Sequence, residues 1–422
     1  MNKVTTSIEK RGWGLLGMVW ITVMLAQTVS FSYGMVLPDI MSDLQFGYDT
    51  AGNLAGISQL IAGLLTIPIV ALATKLDPRY SIMGMIFLGG SGLLLFGLAQ
   101  NTFTMLTSMI LFKSIMVSIL GAVVVVKVKW VPQTRLTEIN GIENFLQPIG
   151  QTLGTMAIVY ILAFFGGWRM TAIVLGSLVL VLAILWPIFY RDKKEMTSNT
   201  NVASQSTVAK NPILQAMKLK TVWLLAFAWP TTTLIWVAAF TFWPSHATDT
   251  LGLTIGQTGF ILGLIPIFSA IASLTSPYLA KSIGYDKPLI WIWGFILPVS
   301  YFILLQTSNL VILAIAAAIC GYGAYAFVPL AYTILYRIPG LHSKTVAAST
   351  SIVLTAITLG AALGSIIVGQ LSEIMTLYSA MAICCLAPFI FGILTLFLPE
   401  YGRKYMEKNQ AIDEENSIKH SS

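Results

Sequence analysis

Charged side chains are scarce in this sequence, and their scarcity decides the class of protein. They make up 10% of the 422 residues, whereas 56% are hydrophobic and the mean hydropathy is +0.81. A soluble domain carries about 25% charged residues, so this composition cannot cover the surface of several soluble domains. The sequence therefore predicts an integral membrane protein, and its net charge of +7 does not indicate a nucleic-acid partner.

Cysteine, histidine and catalytic motifs are also few. The three cysteines, Cys320, Cys384 and Cys385, all lie in apolar runs, which argues against a disulfide framework. The three histidines are expected in loops or the tail (His246, His342, His420). There is no G-x-x-x-x-G-K-[ST], H-E-x-x-H or G-x-S-x-G pattern. We therefore expect no ATP-driven mechanism, no metal, no cofactor and no enzymatic activity.

Long apolar runs are what the sequence does have. A membrane-spanning helix needs about 20 mostly apolar residues, and lipid cannot satisfy the hydrogen bonds of other backbone conformations. No cleavable signal peptide is expected, because the first apolar run is too long and lacks a cleavage site. Twelve runs of sufficient length are predicted as spans 1 to 12, over residues 13–36, 51–73, 81–99, 103–126, 141–165, 170–190, 221–243, 257–280, 288–306, 309–335, 346–369 and 377–398.

Lysine and arginine set the predicted orientation. Of the 24 such residues, all but Lys113 and Arg169 fall on the side where the chain begins. Because basic loops stay in the cytoplasm, both termini are expected there, and the protein is expected in the cell membrane as a monomer. The predicted domains are a six-helix bundle over 1–190, a polar cytoplasmic linker over 191–220, a second six-helix bundle over 221–398 and a cytoplasmic tail over 399–422.

The two halves repeat at a constant offset of 207 residues. Gly52 and Gly56 align with Gly259 and Gly263, and the span boundaries shift by the same amount. Small residues four apart also let helices approach closely in lipid, which explains each pair but not the shared offset. Two parallel six-span halves indicate a transporter with its cavity between them. A receptor, a sensor or a membrane enzyme does not need this duplication.

Several short motifs, in order, resemble those of the major facilitator superfamily, and the resemblance covers residues 13 to 398. They are "LPDIMSDLQ" after span 1, "ALATKLDPR" and its second copy "YLAKSIGYDK", "VPQTR" after span 4 and "GGWRM" before span 6. The sequence departs from the loop motif, because Thr74 and Lys281 stand at the usual aspartate position and Asp77 at the usual glycine position. The family's charge-lock role for that aspartate is therefore in doubt here.

The resemblance implies two six-helix halves, a central cavity lined by spans 1, 4, 7 and 10, and transport by alternating access. It also implies that Arg169 is a structural residue of the outer loop. Beyond the family, "VKWVP" and the short loops faintly resemble cyanate- and nitrate-type permeases.

Lys113 is the only charged residue between Tyr80 and Val126, about eleven residues into span 4. A lysine at mid-membrane costs about 3 kcal/mol and cannot easily reach the headgroups, so it is expected to face protein or a wet cavity. It binds an anionic substrate, or is a counter-ion that substrate or a proton relieves, or is capped by backbone carbonyls at a helix break. At the 207 offset it aligns with Cys320, which is not on the tyrosine face of span 10, so the faces used by the two spans stay undecided.

Polar and aromatic stripes supply the other candidates. Span 5 carries Asn140, Glu143, Asn144, Gln147, Gln151 and Thr155 on one face, and span 11 carries Ser351, Thr355, Thr358 and Ser365. These stripes are expected to hydrogen-bond across the interface between the halves. The predicted substrate-binding residues are Lys113, Gln27, Tyr33, Gln147, Gln151, Trp236 and Tyr325. For the aromatic residues packing is the alternative role, and for Gln27 an amide bond between helices is the alternative.

The sequence thus predicts a secondary transporter of a small anionic solute, driven by an ion or solute gradient. Glu143 and Asp39 are the candidates for coupling to protons, but uniport or anion exchange stays open. The alternative is a proton-driven exporter of lipophilic or cationic compounds. Such an exporter would be expected to hold an acidic residue at mid-depth, where the sequence has none.

Overall fold

The computed structural model describes residues 10–73, 75–131, 135–190, 212–338, 343–402 and 404. Within these ranges the chain is helical and contains no strand. Twelve helices are long and apolar enough to cross a membrane, which confirms the predicted all-α fold with twelve spans. Several helices run past the predicted ends because the prediction counted only apolar residues, whereas a helix continues through polar turns beyond the lipid.

Spans 5, 9, 10 and 12 are each built from consecutive helical segments, and the other spans are single helices. In the first half the bounds are Lys10–Leu44, Tyr48–Ala73, Pro78–Gly97, Thr102–Trp130, then Leu136–Thr152 with a π-helical turn Leu153–Ala157 and Ile158–Phe165, and Trp168–Phe189. In the second half they are Lys220–Asp249, Ile255–Ile283, Pro288–Trp291 with Trp293–Gln306, Leu310–Ala326 with Val328–Tyr336, Ser343–Ile374, and Leu377–Cys385 with Ala387–Thr395. A short helix, Pro212–Met217, precedes span 7.

Local sequence explains where the spans begin. Asp77 caps span 3, with its Oδ1 accepting from the Arg79 amide at 2.8 Å and Pro78 in the first turn. The aspartate that replaces the usual glycine of the loop motif therefore has a local role. Spans 4 and 8 start with reciprocal capping boxes, at Asn101 and at Thr254. These caps satisfy backbone amides that would otherwise lack partners at the helix ends.

The side of the bundle where span 1 begins is here called the basic face, and the other side is the opposite face. At the basic face, Glu400 accepts hydrogen bonds from the amides of Asp286 and Lys287 at 2.9 and 3.0 Å. Arg337 donates to Asp286 Oδ2 at 3.1 Å and to the Tyr401 carbonyl at 2.8 Å. The chain after span 12 is thereby tied to the loop between spans 8 and 9 and to the end of span 10.

Glycine allows the halves to meet along three helix pairs. A Cβ on Gly34 of span 1 would lie 1.9 Å from the Phe240 carbonyl oxygen of span 7. A Cβ on Gly52 would lie 2.3 Å from the Ser365 carbonyl oxygen of span 11, and one on Gly259 of span 8 would lie 2.5 Å from that of Thr155 in span 5. The three contacts are here called the seals. Gly52 and Gly259 are equivalent positions in the 207-residue repeat, so two of the three seals are also related by the repeat.

All three seals lie in the part of the spans farther from the basic face. Hydrogen bonds that join the two halves lie there too: Tyr48 to Asp249, Gln370 to Asn53, and Thr152 to the Gly263 carbonyl. The described part of the protein is therefore closed toward the opposite face, and the space between the halves lies on the basic-face side of these contacts.

Candidate functional site

Two connected lobes fill the space between the halves. The span 8 lobe, of about 420 Å³, lies among spans 5, 8 and 10, and the span 7 lobe, of about 400 Å³, lies among spans 7, 10 and 11 with Gln147 of span 5. Gln147, Tyr325 and Tyr332 line both lobes. Pockets that hold small molecules measure about 300 to 1,000 Å³, so each lobe is large enough for a solute of the size of a sugar.

The second half supplies an aromatic wall. The rings of Trp236 and Tyr325 are 5.4 Å apart between centroids, and those of Trp229 and Tyr332 are 5.2 Å apart. Span 10 breaks at Phe327, and Pro329 cannot donate to the Tyr325 carbonyl four residues earlier. This break divides span 10 into two helices, and residues of both, Tyr325 and Tyr332, line the cavity. Aromatic faces of this kind pack against the apolar faces of a bound solute.

The first half supplies amide groups. Gln147 lies half-buried at the junction of the lobes. Gln151 is 6% exposed, lines the span 8 lobe, and donates from Nε2 to Gln27 Oε1 of span 1 at 3.4 Å. Its own Oε1 is buried and has no hydrogen-bond partner within the described residues. A buried amide oxygen without a donor is costly, so a bound hydroxyl or a water molecule is expected to donate to it.

Lys113 lies outside the two lobes, inside the first half. Its Nζ donates to the Ala55 carbonyl at 3.1 Å and to Ser58 Oγ at 2.9 Å, both on span 2. It borders a cavity of about 50 Å³ inside the first half, together with Tyr33, whose hydroxyl donates to the Ala51 carbonyl at 3.2 Å. A water molecule needs about 10 to 15 Å³ of such volume, so this cavity has room for a few waters and no solute. Neither residue lines the two lobes.

The repeat explains why Lys113 and the tyrosines point differently. Lys113 and Ser58 align with Cys320 and Ile265 at the 207 offset. Next to Cys320, a Cβ on Gly321 would lie 2.0 Å from the Ile265 carbonyl oxygen. Span 10 therefore packs against span 8 where span 4 packs against span 2. The sequence left open which faces of spans 4 and 10 point to the cavity. In the structure, the face of span 4 that carries Lys113 packs against another helix of the same half, whereas Tyr325 lies on the face of span 10 that lines the cavity.

The coupling candidates lie near the two ends of the bundle. Glu143 is buried and forms a salt bridge with Lys127 of span 4 at 2.5 Å between Oε2 and Nζ. Asp39 is exposed on span 1 toward the opposite face. Neither lines the two lobes. Arg169 pairs with Asp43 at 2.9 Å and also donates to the Gly97 and Ala99 carbonyls, which is the structural role that the family resemblance implied.

Three expectations from the sequence need correction. The described residues that line the two lobes come from spans 5, 7, 8, 10 and 11, and none comes from spans 1 and 4, which the family resemblance had implied. His246 lies not in a loop but in span 7, 1% exposed, with Nε2 3.1 Å from the Leu305 carbonyl oxygen. Its place three residues after Trp243, directly behind the apolar run of span 7, could have indicated this. The polar stripes of spans 5 and 11 also do not face each other. Span 5 packs on spans 1 and 8, span 11 packs on spans 2 and 7, and the stripe side chains of Asn140 and Asn144 lie outside the described residues.

Comparison with known proteins agrees with this architecture. Residues 19–348 match the model of the Major Facilitator Superfamily. Because the match covers most of the chain, the protein belongs to this superfamily of membrane transporters, as the motifs had predicted. A hexuronate transporter of Bacillus subtilis (strain 168) is 25% identical over 161 residues, a match that spans 37% of this chain and 38% of that relative.

Two solved structures share the fold. A bacterial homologue of the human lysosomal transporter Spinster, inward-facing and unoccupied, aligns with a TM-score of 0.74 and 14% identity over 92% of this chain and 96% of that one. The nucleoside transporter NupG aligns with a TM-score of 0.73 and 15% identity over 91% and 98% of the two chains. Identities this low establish the common fold and leave the substrate open.

Proposed function

We propose that this protein is a secondary transporter that moves a small, hydroxylated organic anion across the cell membrane by alternating access. The observation that carries the proposal is the pair of lobes between the halves, which lie on the basic-face side of three close glycine contacts that join the halves. In this proposal the solute lies between Gln147 and Gln151 on one side and Trp236 and Tyr325 on the other. The amides form hydrogen bonds with hydroxyl or carboxylate groups of the solute, and the rings pack against its apolar faces.

Three observations favour an anionic solute. Within the described residues no carboxylate forms a salt bridge with Lys113, so its positive charge is not cancelled by a neighbouring carboxylate. A positive charge without a carboxylate partner attracts an anion in the lobes, and this attraction falls with the distance between the two charges. The residues that line the two lobes include no acid that would oppose this field. The hexuronate relative, whose named solute is a sugar acid, points the same way.

A neutral hydroxylated solute is the second candidate, because the lining of both lobes is uncharged. The absence of acids among these lining residues weighs against an exporter of lipophilic cations, for which an acidic residue at mid-depth is expected. Gln27 would support the site through its bond with Gln151, and Tyr33 would support Lys113 from across the small cavity.

The remaining features of the proposal concern orientation and drive. The basic face lies in the cytoplasm, the halves 1–190 and 221–398 rock as units about the linker 191–220, and the protein acts as a monomer. The drive is an ion or solute gradient. For proton coupling, Asp39 and Glu143 are the residues to test, by uptake of Asp39→Asn and Glu143→Gln with and without a pH gradient.

Uptake into proteoliposomes tests the solute class. The panel is a labelled hexuronate, a neutral hexose, a nucleoside and a lipophilic cation. We expect uptake of the hexuronate, with a loss of at least tenfold in affinity for Gln151→Leu and for Trp236→Ala. Lys113→Gln should weaken binding of the anion and leave binding of a neutral analogue unchanged, whereas Lys113→Arg should retain anion uptake.

Other outcomes are equally decisive. Uptake of the neutral hexose or nucleoside alone, unaffected by Lys113→Gln, would establish the second candidate. Uptake of the lipophilic cation alone would refute both solute classes.

A further inference from the structure

A groove runs along the lipid-facing surface of the second half, where spans 7 and 11 cross. A Cβ on Gly360 would lie 2.4 Å from the Pro230 carbonyl oxygen, and one on Gly364 would lie 2.2 Å from that of Leu234. Because the backbones approach this closely, the flanking side chains diverge and leave a space of about 490 Å³. This groove is separate from the two lobes, since it shares no lining residue with them.

The wall of the groove is apolar. Phe227, Leu359 and Leu363 line it and are exposed. The two threonine hydroxyls in the wall already have partners: Thr231 donates to the carbonyl of Ala228 at 2.7 Å and Thr355 to that of Ser351 at 2.9 Å. The groove therefore offers a ligand apolar contact and no free hydroxyl, which suits a hydrocarbon chain.

The mouth of the groove lies at the basic face and is lined by two stacked aromatic rings. Trp223 and Phe227 line both the groove and an adjoining recess of about 120 Å³, and Lys220 lies in that recess. The Trp223 Nε1 donates to the Met217 carbonyl at 2.6 Å, and its ring stacks on Phe227 at 5.6 Å between centroids. Tryptophan is enriched at this depth of membrane proteins, where its ring meets the headgroups.

The charge at the mouth is positive. Lys218 and Lys220 are exposed, and neither forms a salt bridge with a described residue. The chain from residue 212 to residue 248 contains no acidic side chain. Each lysine at the membrane surface raises the affinity for an anionic headgroup by a factor of about five.

The length of the groove matches one leaflet. From Trp223 to Leu234 span 7 advances eleven residues, which is about 16 Å at 1.5 Å per residue. Half of a hydrocarbon core of about 30 Å is about 15 Å. We propose that the groove binds one anionic phospholipid of the leaflet at the basic face, with an acyl chain between spans 7 and 11 and the phosphate at Lys218 and Lys220.

Native mass spectrometry of the full chain in detergent tests this site, with phosphatidylglycerol and phosphatidylcholine as probes. We expect preferential retention of phosphatidylglycerol. The double variant Lys218→Gln/Lys220→Gln should lower the affinity for phosphatidylglycerol by about 25-fold and leave the affinity for phosphatidylcholine unchanged. Lys281→Gln, an exposed lysine at the basic-face end of span 8, is the matched control and should behave as wild type.

A second pair of variants tests the groove itself. Ala356→Phe places a ring in the groove and should abolish retention of the tightly held lipid. Val181→Phe, on an exposed position of span 6, should not. Equal retention of the two lipids, an equal loss in Lys281→Gln, or full retention by a monodisperse Ala356→Phe would overturn the proposal. If Ala356→Phe fails to fold, the lysine variants, which are on the surface, still decide.

Discussion

The crossing of spans 1 and 7 at Gly34 gives a sharp test of alternating access. In the Gly34→Ala variant the new Cβ would lie 1.9 Å from the Phe240 carbonyl oxygen and 2.9 Å from that of Thr241. Cβ atoms essentially never approach other atoms closer than 3.0 Å, so the two backbones must move apart by about 1 Å. Overpacking of this kind costs about 1 to 3 kcal/mol.

This cost falls on one conformation only. In a state open toward the opposite face, spans 1 and 7 are expected to separate, and the alanine would meet no obstacle there. A differential free energy of about 1 to 3 kcal/mol shifts a two-state equilibrium by about 5- to 150-fold. The variant should therefore populate the state that is open toward the opposite face and closed toward the basic face.

Distances between spin labels on introduced cysteines would measure the shift. Leu76 and Ile283 are exposed at the basic face, and Phe103 and Leu310 are exposed at the opposite face. Each pair is related by the 207-residue offset, so each reports the separation of equivalent points. We expect Gly34→Ala to shorten the distance at the basic face and lengthen that at the opposite face. The native cysteines are buried, which limits background labelling.

Gly84→Ala in span 3 is the matched control. It makes the same gain in helix propensity, and its Cβ would meet nothing within 4 Å, so its distances should equal those of the wild type. If Gly34→Ala kept wild-type distances at both faces and wild-type uptake, the seal at spans 1 and 7 would not control access, and the reasoning would be refuted.

Three further predictions concern stability, each measured by thermal unfolding in detergent. Burial raises the pKa of Asp286 while Arg337 lowers it. The pKa of Asp286 should therefore rise further in Arg337→Gln. At pH 7 the free energy of unfolding of this variant should be about 1 kcal/mol lower than that of the wild type, and the difference should shrink as the pH falls and Asp286 is protonated. A difference that does not depend on pH would contradict this. Arg169→Gln should lower the free energy of unfolding by about 1 to 3 kcal/mol. Asp43→Asn should lower it less, because the hydrogen bonds from Arg169 to the carbonyls persist in that variant. Equal losses in the two variants would show that the ion pair alone accounts for the effect. Gly294→Ala, whose Cβ would lie 2.2 Å from the span 12 backbone, should cost about 1 to 3 kcal/mol without changing either label distance; wild-type stability would show that spans 9 and 12 tolerate separation.

The sequence itself determined the number of spans, the repeat and the family. These properties follow from composition and periodicity, because hydrocarbon requires long apolar helices and an internal duplication leaves a constant offset. The glycines at 52, 56, 259 and 263 stand out as two pairs in the sequence alone, and both pairs do pack helices closely. Gln147, Gln151, Trp236 and Tyr325 were also found as candidates, since polar or aromatic stripes on a span stand out against its apolar background.

Only the tertiary structure decided which candidates share a cavity. Lys113 stood out because it is charged, but a helix presents every side and the sequence does not say which neighbour each side meets. The packing of span 4 on span 2 directs its ammonium to Ala55 and Ser58. Likewise, whether the seals close one face or the other depends on how the two halves tilt, and that tilt is set by contacts between residues more than 100 positions apart.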